Sequence, residues 1–169
     1  GGTLSARAFE ADATALSIGS GASTPQIVNN GTIRADVNTE TTHDSYAIRV
    51  DAGATVNSVA NNGLIFSSVR GFDGDAVAFQ DLSGSVTSFT NSSRITAGFV
   101  DDDPTDDITS GLGRAIAVDL SANTTGIQFT QQDTVDNARI IGDVFLGSGN
   151  DRLDLLSGSV FGNIDFNAG

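Results

Sequence analysis

The sequence predicts an all-β protein, a three-faced parallel β-helix (β-solenoid) of about five coils with variable loops on one side. Three observations predict it. The first is composition: 19 of the 21 acidic residues are Asp, and Gly, Asn, Ser and Thr are abundant while Lys, Met and Trp are absent. Asp, Asn and Gly favour turns and disfavour helix interiors, whereas Val, Ile, Thr and Phe suit strands. The second is an internal repeat, and the third is that the repeat changes length at one place only, as loops on one side of a solenoid do.

In chain order, residues 1–12 read as a cloning scar, Gly1-Gly2, followed by a partial lead-in strand. Residues 13–141 contain four related stretches: "ALSIGSGASTPQIVNNGTI" from Ala15, "AIRVDAGATVNSVANNGLI" from Ala47, "AVAFQDLSGSVTSFTNSSRI" from Ala76 and "AIAVDLSANTTGIQFTQQDTV" from Ala115. Each reads as a short alternating strand, a Gly/Ser/Asn turn, and a second strand ending in Ile27, Val59, Phe89 or Phe129. A polar pair and a third strand follow, such as Thr32-Ile33-Arg34-Ala35 or Leu64-Ile65-Phe66. The starts lie 32, 29 and 39 residues apart, so these coils run to about 30–39 residues. The drift comes from "DVNTETTHDS", "SVRGFDGD" and "GFVDDDPTDDITSGLGR", each of which follows a third strand.

Residues 142–169 repeat faster. Gly142-Asp143-Val144-Phe145-Leu146 matches Gly162-Asn163-Ile164-Asp165-Phe166 at a spacing of 20, which predicts coils of 20 residues and a chain that ends part-way through one. On this register Gly149 answers to Gly169, so a second Asn-Asp and an x-Leu-x-Leu strand are expected to follow it in a longer parent.

Inward residues such as Ile48, Val50, Val56, Val59 and Ile65 would fill the interior, with parallel pairing between coils satisfying the backbone. Five coils at about 4.8 Å each would make a stub about 25 Å long. A β-sandwich also accommodates short strands with regular turns. It does not account for a repeated Asn-Gly turn.

The formal charge is −13, from 21 acids against eight basic residues, all of them Arg. Such a surface repels nucleic acid and anionic lipid, since phosphate binding needs clustered Lys and Arg. There is no Cys for disulfides or thiolate metal sites. The apolar runs are too short to form a membrane-spanning helix of about 20 residues.

Candidate sites follow from the polar stretches. Asn29-Asn30-Gly31 and Asn61-Asn62-Gly63 read as tight turns in which Asn and Gly accept positive φ, and equivalent Asn residues in stacked coils can form amide ladders. Five carboxylates in seven positions, Asp101, Asp102, Asp103, Asp106 and Asp107, repel one another unless they are solvated or bridged by a hard cation such as Ca²⁺. They lack EF-hand spacing. Asp151 lies in Gly147-Ser148-Gly149-Asn150-Asp151-Arg152-Leu153, which resembles one unit of the calcium-binding nonapeptide repeat of RTX proteins. Here Leu146 replaces the first glycine and the unit occurs once. These six aspartates are the Ca²⁺ candidates, and no cofactor is otherwise expected.

His43, the only histidine, reads as a loop residue; Asp44 and Ser45 beside it cannot complete a triad, because sequence neighbours do not converge on one another. The catalytic residues expected are none. Pectin hydrolases share the β-helix, but the Gly-His-Gly and Arg-Ile-Lys partners of their paired Asp are missing here.

The "NNGTI" and "NNGLI" turns, "GDVFLGSGNDRLDL" and "GSVFGNIDF" together resemble the passenger domains of Gram-negative autotransporters, over most of Ala13 to Gly169 and most closely from Gly142. The resemblance implies a right-handed parallel β-helix, export across the outer membrane by a C-terminal β-barrel of the full-length parent, and display at the cell surface. It further implies a non-catalytic stalk or adhesin segment whose loops meet a host surface glycan, a host protein or a passenger on a sister cell. A carbohydrate-active β-helix enzyme and an RTX-like or surface-layer calcium protein are the alternatives.

Overall fold

The computed structural model describes residues 1–38, 42–71, 73–100, 111–133 and 138–168. In chain order the strands form successive coils. The first coil holds β1 (Thr3–Ala8), β2 (Ala13–Ile18) and β3 (Ser23–Asn29), and the second holds β4 (Thr32–Val37), β5 (Ser45–Val50) and β6 (Thr55–Asn61). The third holds β7 (Leu64–Arg70), β8 (Ala76–Asp81) and β9 (Ser88–Asn91), and the fourth β10 (Arg94–Val100), β11 (Ala115–Asp119) and β12 (Gln128–Gln131). The fifth is β13 (Arg139–Ile141), β14 (Asp143–Phe145) and β15 (Arg152–Leu155). Then β16 (Ser159–Phe161) and β17 (Ile164–Asp165) begin a sixth.

Equivalent strands stack into three parallel sheets. Sheet A runs β1-β4-β7-β10-β13-β16, sheet B runs β2-β5-β8-β11-β14-β17, and sheet C runs β3-β6-β9-β12-β15. The chain is thus an all-β parallel β-helix, as the sequence predicts. Parallel strands need crossover connections, and here each sheet supplies the crossover for the other two.

One face of every strand fills the interior. Ile48, Val50, Val56 and Ile65 are fully buried and Val59 nearly so, as expected of inward residues. The columns run along the axis: Ile33, Ile65, Ile95 and Ile140 in sheet A, and Ile27, Val59, Phe89, Phe129 and Leu153 in sheet C. Phe89 and Phe129 stack with ring centroids 4.9 Å apart, and Phe79 meets Phe89 edge-on at 5.1 Å. Offset and edge-on contacts are the favoured aromatic geometries, so this pair of coils carries the bulkiest part of the core.

Two details differ from the sequence reading. Ala76 pairs with Ser45 rather than with Ala47, so the third repeat starts two residues later than its alignment suggested. A two-residue slip leaves every side chain on its correct face, which is why alternation alone does not detect it. The sheet A strands also run further: Asp36 and Val37, Ser68 to Arg70, and Gly98 to Val100 belong to β4, β7 and β10, not to the variable segments. Buried Val37 and Val69 and the packed Phe99 continue the inward face and hold these residues in the ladder.

The joint between sheets A and B takes the widest range of lengths, from the single residue 142 to the fourteen of 101–114. That is the side where variable loops were expected. One further insertion, 132–138, falls between sheets C and A.

Candidate functional site

The joint between sheets A and B carries a column of carboxylates. Asp12 and Asp75 stand immediately before a sheet B strand, as does Asp44. At this position the backbone N–H has left one strand and not yet entered the next, and the short Asp side chain of the preceding coil reaches it. Asp44 N–H donates to Asp12 Oδ1 at 3.0 Å, Asp75 N–H to Asp44 Oδ1 at 2.8 Å, and Arg114 N–H to Asp75 Oδ1 at 2.8 Å. In the fourth coil Arg114 takes the place of Asp, and its guanidinium pairs with Asp75 Oδ2 at 2.9 Å. A cation thereby closes a column whose like charges would otherwise repel.

Tyr46 Oη–H donates to Asp44 Oδ2 at 2.9 Å, and His43 Nδ1 lies 3.3 Å from Asp12 Oδ1. The Tyr46 phenol is pushed well above its ordinary range, first by burial and then by its hydrogen bond to Asp44. It packs with Val77 and Ile116 in a small apolar cluster separate from the main core. Both oxygens of Asp44 and both of Asp75 are engaged within the chain. His43 meets Asp12, a coil away, and not its sequence neighbours.

Of the calcium candidates, Asp101, Asp102, Asp103, Asp106 and Asp107 lie outside the described residues. Asp151 lies at the joint between sheets B and C, where Asp151 Oδ1 accepts Ile127 N–H at 3.0 Å. Around it, Ser148 N–H donates to Asn123 O at 2.8 Å and Asp151 N–H to Gly149 O at 3.0 Å. The Gly147-to-Leu153 stretch therefore stacks on the Asn123–Ile127 turn of the coil before, and Asp151 closes that stacking. Its Oδ2 is buried without a hydrogen-bond partner among the described residues. Among those residues no three His, Asp or Glu side chains are grouped to hold a metal ion.

The polar pairs form the expected amide ladder. Asn29 Nδ2 donates to Asn61 Oδ1 at 2.8 Å, Asn61 Nδ2 to Asn91 Oδ1 at 2.8 Å, and Asn91 Nδ2 to Gln131 Oε1 at 2.7 Å. The same amides reach backbone carbonyls of Leu64, Arg94 and Ser93. All four residues are buried, and their amide groups are used except for Gln131 Nε2 at the end of the ladder, which has no hydrogen-bond partner among the described residues. A second, outer rung joins Asn62 Nδ2 to Asn30 Oδ1 at 3.0 Å.

The glycines of these turns have a different role from the one predicted. Gly31 and Gly63 do not adopt positive φ. A Cβ on Gly63 would lie 2.1 Å from the carbonyl oxygen of Gly31, and one on Gly31 would lie 2.1 Å from that of Gly2. Glycine is needed because the coils touch there.

Sequence reading missed the Asp column. Its signal was present, an Asp one residue before each of the first three sheet B strands, but repeats begun at Ala15, Ala47 and Ala76 set the aspartates at unequal offsets. Comparison with known protein families, with curated proteins and with solved structures finds no match for the chain.

Proposed function

We propose that the chain is a non-catalytic surface segment of the autotransporter passenger type, a rigid spacer that presents the loops between sheets A and B. The observation that supports this reading is the distribution of length: those connections range from one residue to fourteen beside three unbroken sheets. A stack of coils tolerates change where its loops leave it and nowhere else, which suits a protein that varies what it displays and keeps its shaft. Both carboxylate oxygens of Asp44 and of Asp75 are spent on backbone N–H groups, Tyr46 and Arg114, which leaves these two poor candidates for general acid and base.

Display tests the proposal. The chain is placed between an amino-terminal epitope and an autotransporter β-barrel in a Gram-negative host. Antibody and protease should reach the epitope on intact cells; retention in the periplasm would overturn the reading.

The calcium alternative draws on the unpartnered Asp151 Oδ2 and on the acidic run from Asp101 to Asp107. Chelation separates the two. EDTA should leave the melting temperature nearly unchanged, whereas a large fall that is abolished by alanine at Asp101, Asp102 and Asp103 would favour calcium.

A further inference from the structure

The arginines are sorted by sheet. Each of the five coils places one arginine on its sheet A strand, Arg7, Arg34, Arg70, Arg94 and Arg139, and these are five of the eight in the chain. The only acid on the sheet A strands is Asp36, whereas the sheet B strands carry one arginine, Arg49, against Asp81, Asp119, Asp143 and Asp165. All five sheet A arginines point outward, because each adjoins a residue of the inward face: Ala6, Ile33, Val69, Ile95 or Ile140.

Charge pairing is sorted in the same way. The three arginines off the sheet A strands, Arg49, Arg114 and Arg152, each meet an Asp. On sheet A only Arg34 does, through Asp36. Arg7, Arg70, Arg94 and Arg139 have no carboxylate partner among the described residues, in a chain with 21 acids. Arg94 and Arg139 also stand directly opposite each other on adjacent strands, where like charges destabilise unless an anion lies between them. The Arg139 guanidinium lies over the Phe161 ring of the next coil at 5.4 Å, as Arg34 lies over Phe66 at 4.6 Å. Stacking fixes the plane and leaves the edge N–H groups of Arg139 free to fork onto a carboxylate.

We infer that the outer face of sheet A binds a linear polysaccharide that carries about one carboxylate per sugar. A sheet face is flat, so it suits an extended chain; a small molecule needs a concave site. The cations come one per coil, about 4.8 Å apart along the axis, and one pyranose advances a polysaccharide by about the thickness of a coil. Duplex DNA is far denser, with one charge per about 1.7 Å, and would feel the rest of an acidic molecule. An anionic bilayer is planar and would meet the neighbouring joint as well, where Asp12, Asp44 and Asp75 stand. A single chain lying along the face avoids them.

The displayed-spacer proposal concerns the loops between sheets A and B. This inference concerns a sheet face, and it holds or fails in solution whether or not the chain reaches a cell surface. Isothermal titration with polymannuronate oligomers long enough to span five coils tests it, in EDTA so that no divalent cation bridges two carboxylates. Binding should be measurable at about 0.1 M salt, where a Debye length of about 10 Å confines the ligand to the charges of this face. It should be lost at about 1 M, where about 3 Å screens those charges too. Arg94→Gln with Arg139→Gln should weaken it by about tenfold or more, since each change removes a charge-assisted hydrogen bond. Arg49→Gln with Arg152→Gln makes the same change in net charge on the other two sheets, beyond the screening distance, and should alter it by less than about twofold. Phenylglyoxal labelling of the parent needs no variant: bound oligomer should shield Arg94 and Arg139 and leave Arg152 open.

Absence of binding at about 0.1 M salt, or equal losses in the two double variants, would overturn the inference and leave the display assay to judge the surface-segment reading. So would shielding of Arg152 in place of Arg94 and Arg139, or equally tight binding of neutral dextran, which would show that the charges are not read. Tighter binding of polyglutamate or duplex DNA would replace the polysaccharide by an acidic peptide or a nucleic acid.

Discussion

At the scale of single residues, the glycines show how one residue type meets two different demands. Gly53 has φ of 84° and its added Cβ would meet only the Ser20 side chain, whereas Gly63 lies beneath the backbone oxygen of Gly31. Gly53→Ala should cost about 1 kcal/mol for the left-handed conformation, and Asn there should recover part of it. Gly63→Ala should cost about 1–3 kcal/mol because the coils must separate, and Asn should be no better. Thermal melts of the four variants check this, and an unaffected Gly63→Ala would mean that the coils do not touch at that corner. The sequence revealed that glycine recurs after Asn-Asn. It did not reveal why, since the clashing oxygen belongs to a residue 32 positions earlier. Tyr46 offers a direct probe because it is the only tyrosine. Its phenol is held above the ordinary value of about 10 by burial and by Asp44. The stability this contributes is fully present below about pH 10 and is lost as pH rises through the folded value. Ultraviolet titration should show tyrosinate appearing later in the folded chain than in urea. Asp44→Asn should move the onset only part of the way back, because burial is the larger cause. Equal titrations in both states would contradict the buried position.

At the scale of elements, the amide ladder ties each sheet C strand to the next and fixes which rung meets which. Asn61 is fully buried, accepts from Asn29 and donates to Asn91 and to the Arg94 carbonyl. Asn61→Ala should cost about 2–3 kcal/mol, from the three lost hydrogen bonds and the buried neighbours left unmatched. Asn61→Asp should cost more at neutral pH, since a buried carboxylate would face the Asn91 oxygen. The introduced acid is driven above its usual value of about 4, so its penalty should shrink as pH falls toward and below that value. Denaturant melts at two pH values decide this, and a pH-independent penalty would mean that residue 61 is not in the ladder. The ladder was legible from the polar pairs because amides at equal positions in stacked coils have few alternatives. The Asp column was not, because its partners are backbone N–H groups that every residue has. The sheet A strands were read as too short because Asp36 and Ser68 look like loop residues. In the fold Asp36 is held by Arg34 at 2.5 and 2.9 Å and by Ser68 Oγ at 2.7 Å, and this outer-face network lets polar residues continue a strand.

At the scale of the whole molecule, each coil rests only on its neighbours, so the same insult should cost different amounts at different heights in the stack. Val59 is 2% exposed in the second coil, with Ile27 on one side and Phe89 on the other. Ile164 is only partly buried in β17, the last strand of sheet B, and pairs through Val144 alone. Val59→Asp puts an unpaired charge between two covered coils, where desolvation cannot be escaped by fraying, and should cost about 3 kcal/mol or more. Ile164→Asp can let its own coil swing into water, so its cost should be limited to about the one nearest-neighbour term that is lost. The two variants should also differ in hydrogen exchange. Ile164→Asp should speed exchange in β16 and β17 and leave β4 to β9 protected, whereas Val59→Asp should raise exchange through β3 to β9 together. The Phe79, Phe89 and Phe129 contacts and the four-membered amide ladder both cross the third and fourth coils, which makes that region the slowest to exchange in the parent. A Val59→Asp chain as stable as the parent would place residue 59 outside the interior and undo the register of sheet C. An Ile164→Asp chain that unfolds completely would show instead that the last coil is part of one cooperative unit, and that stability is not summed coil by coil.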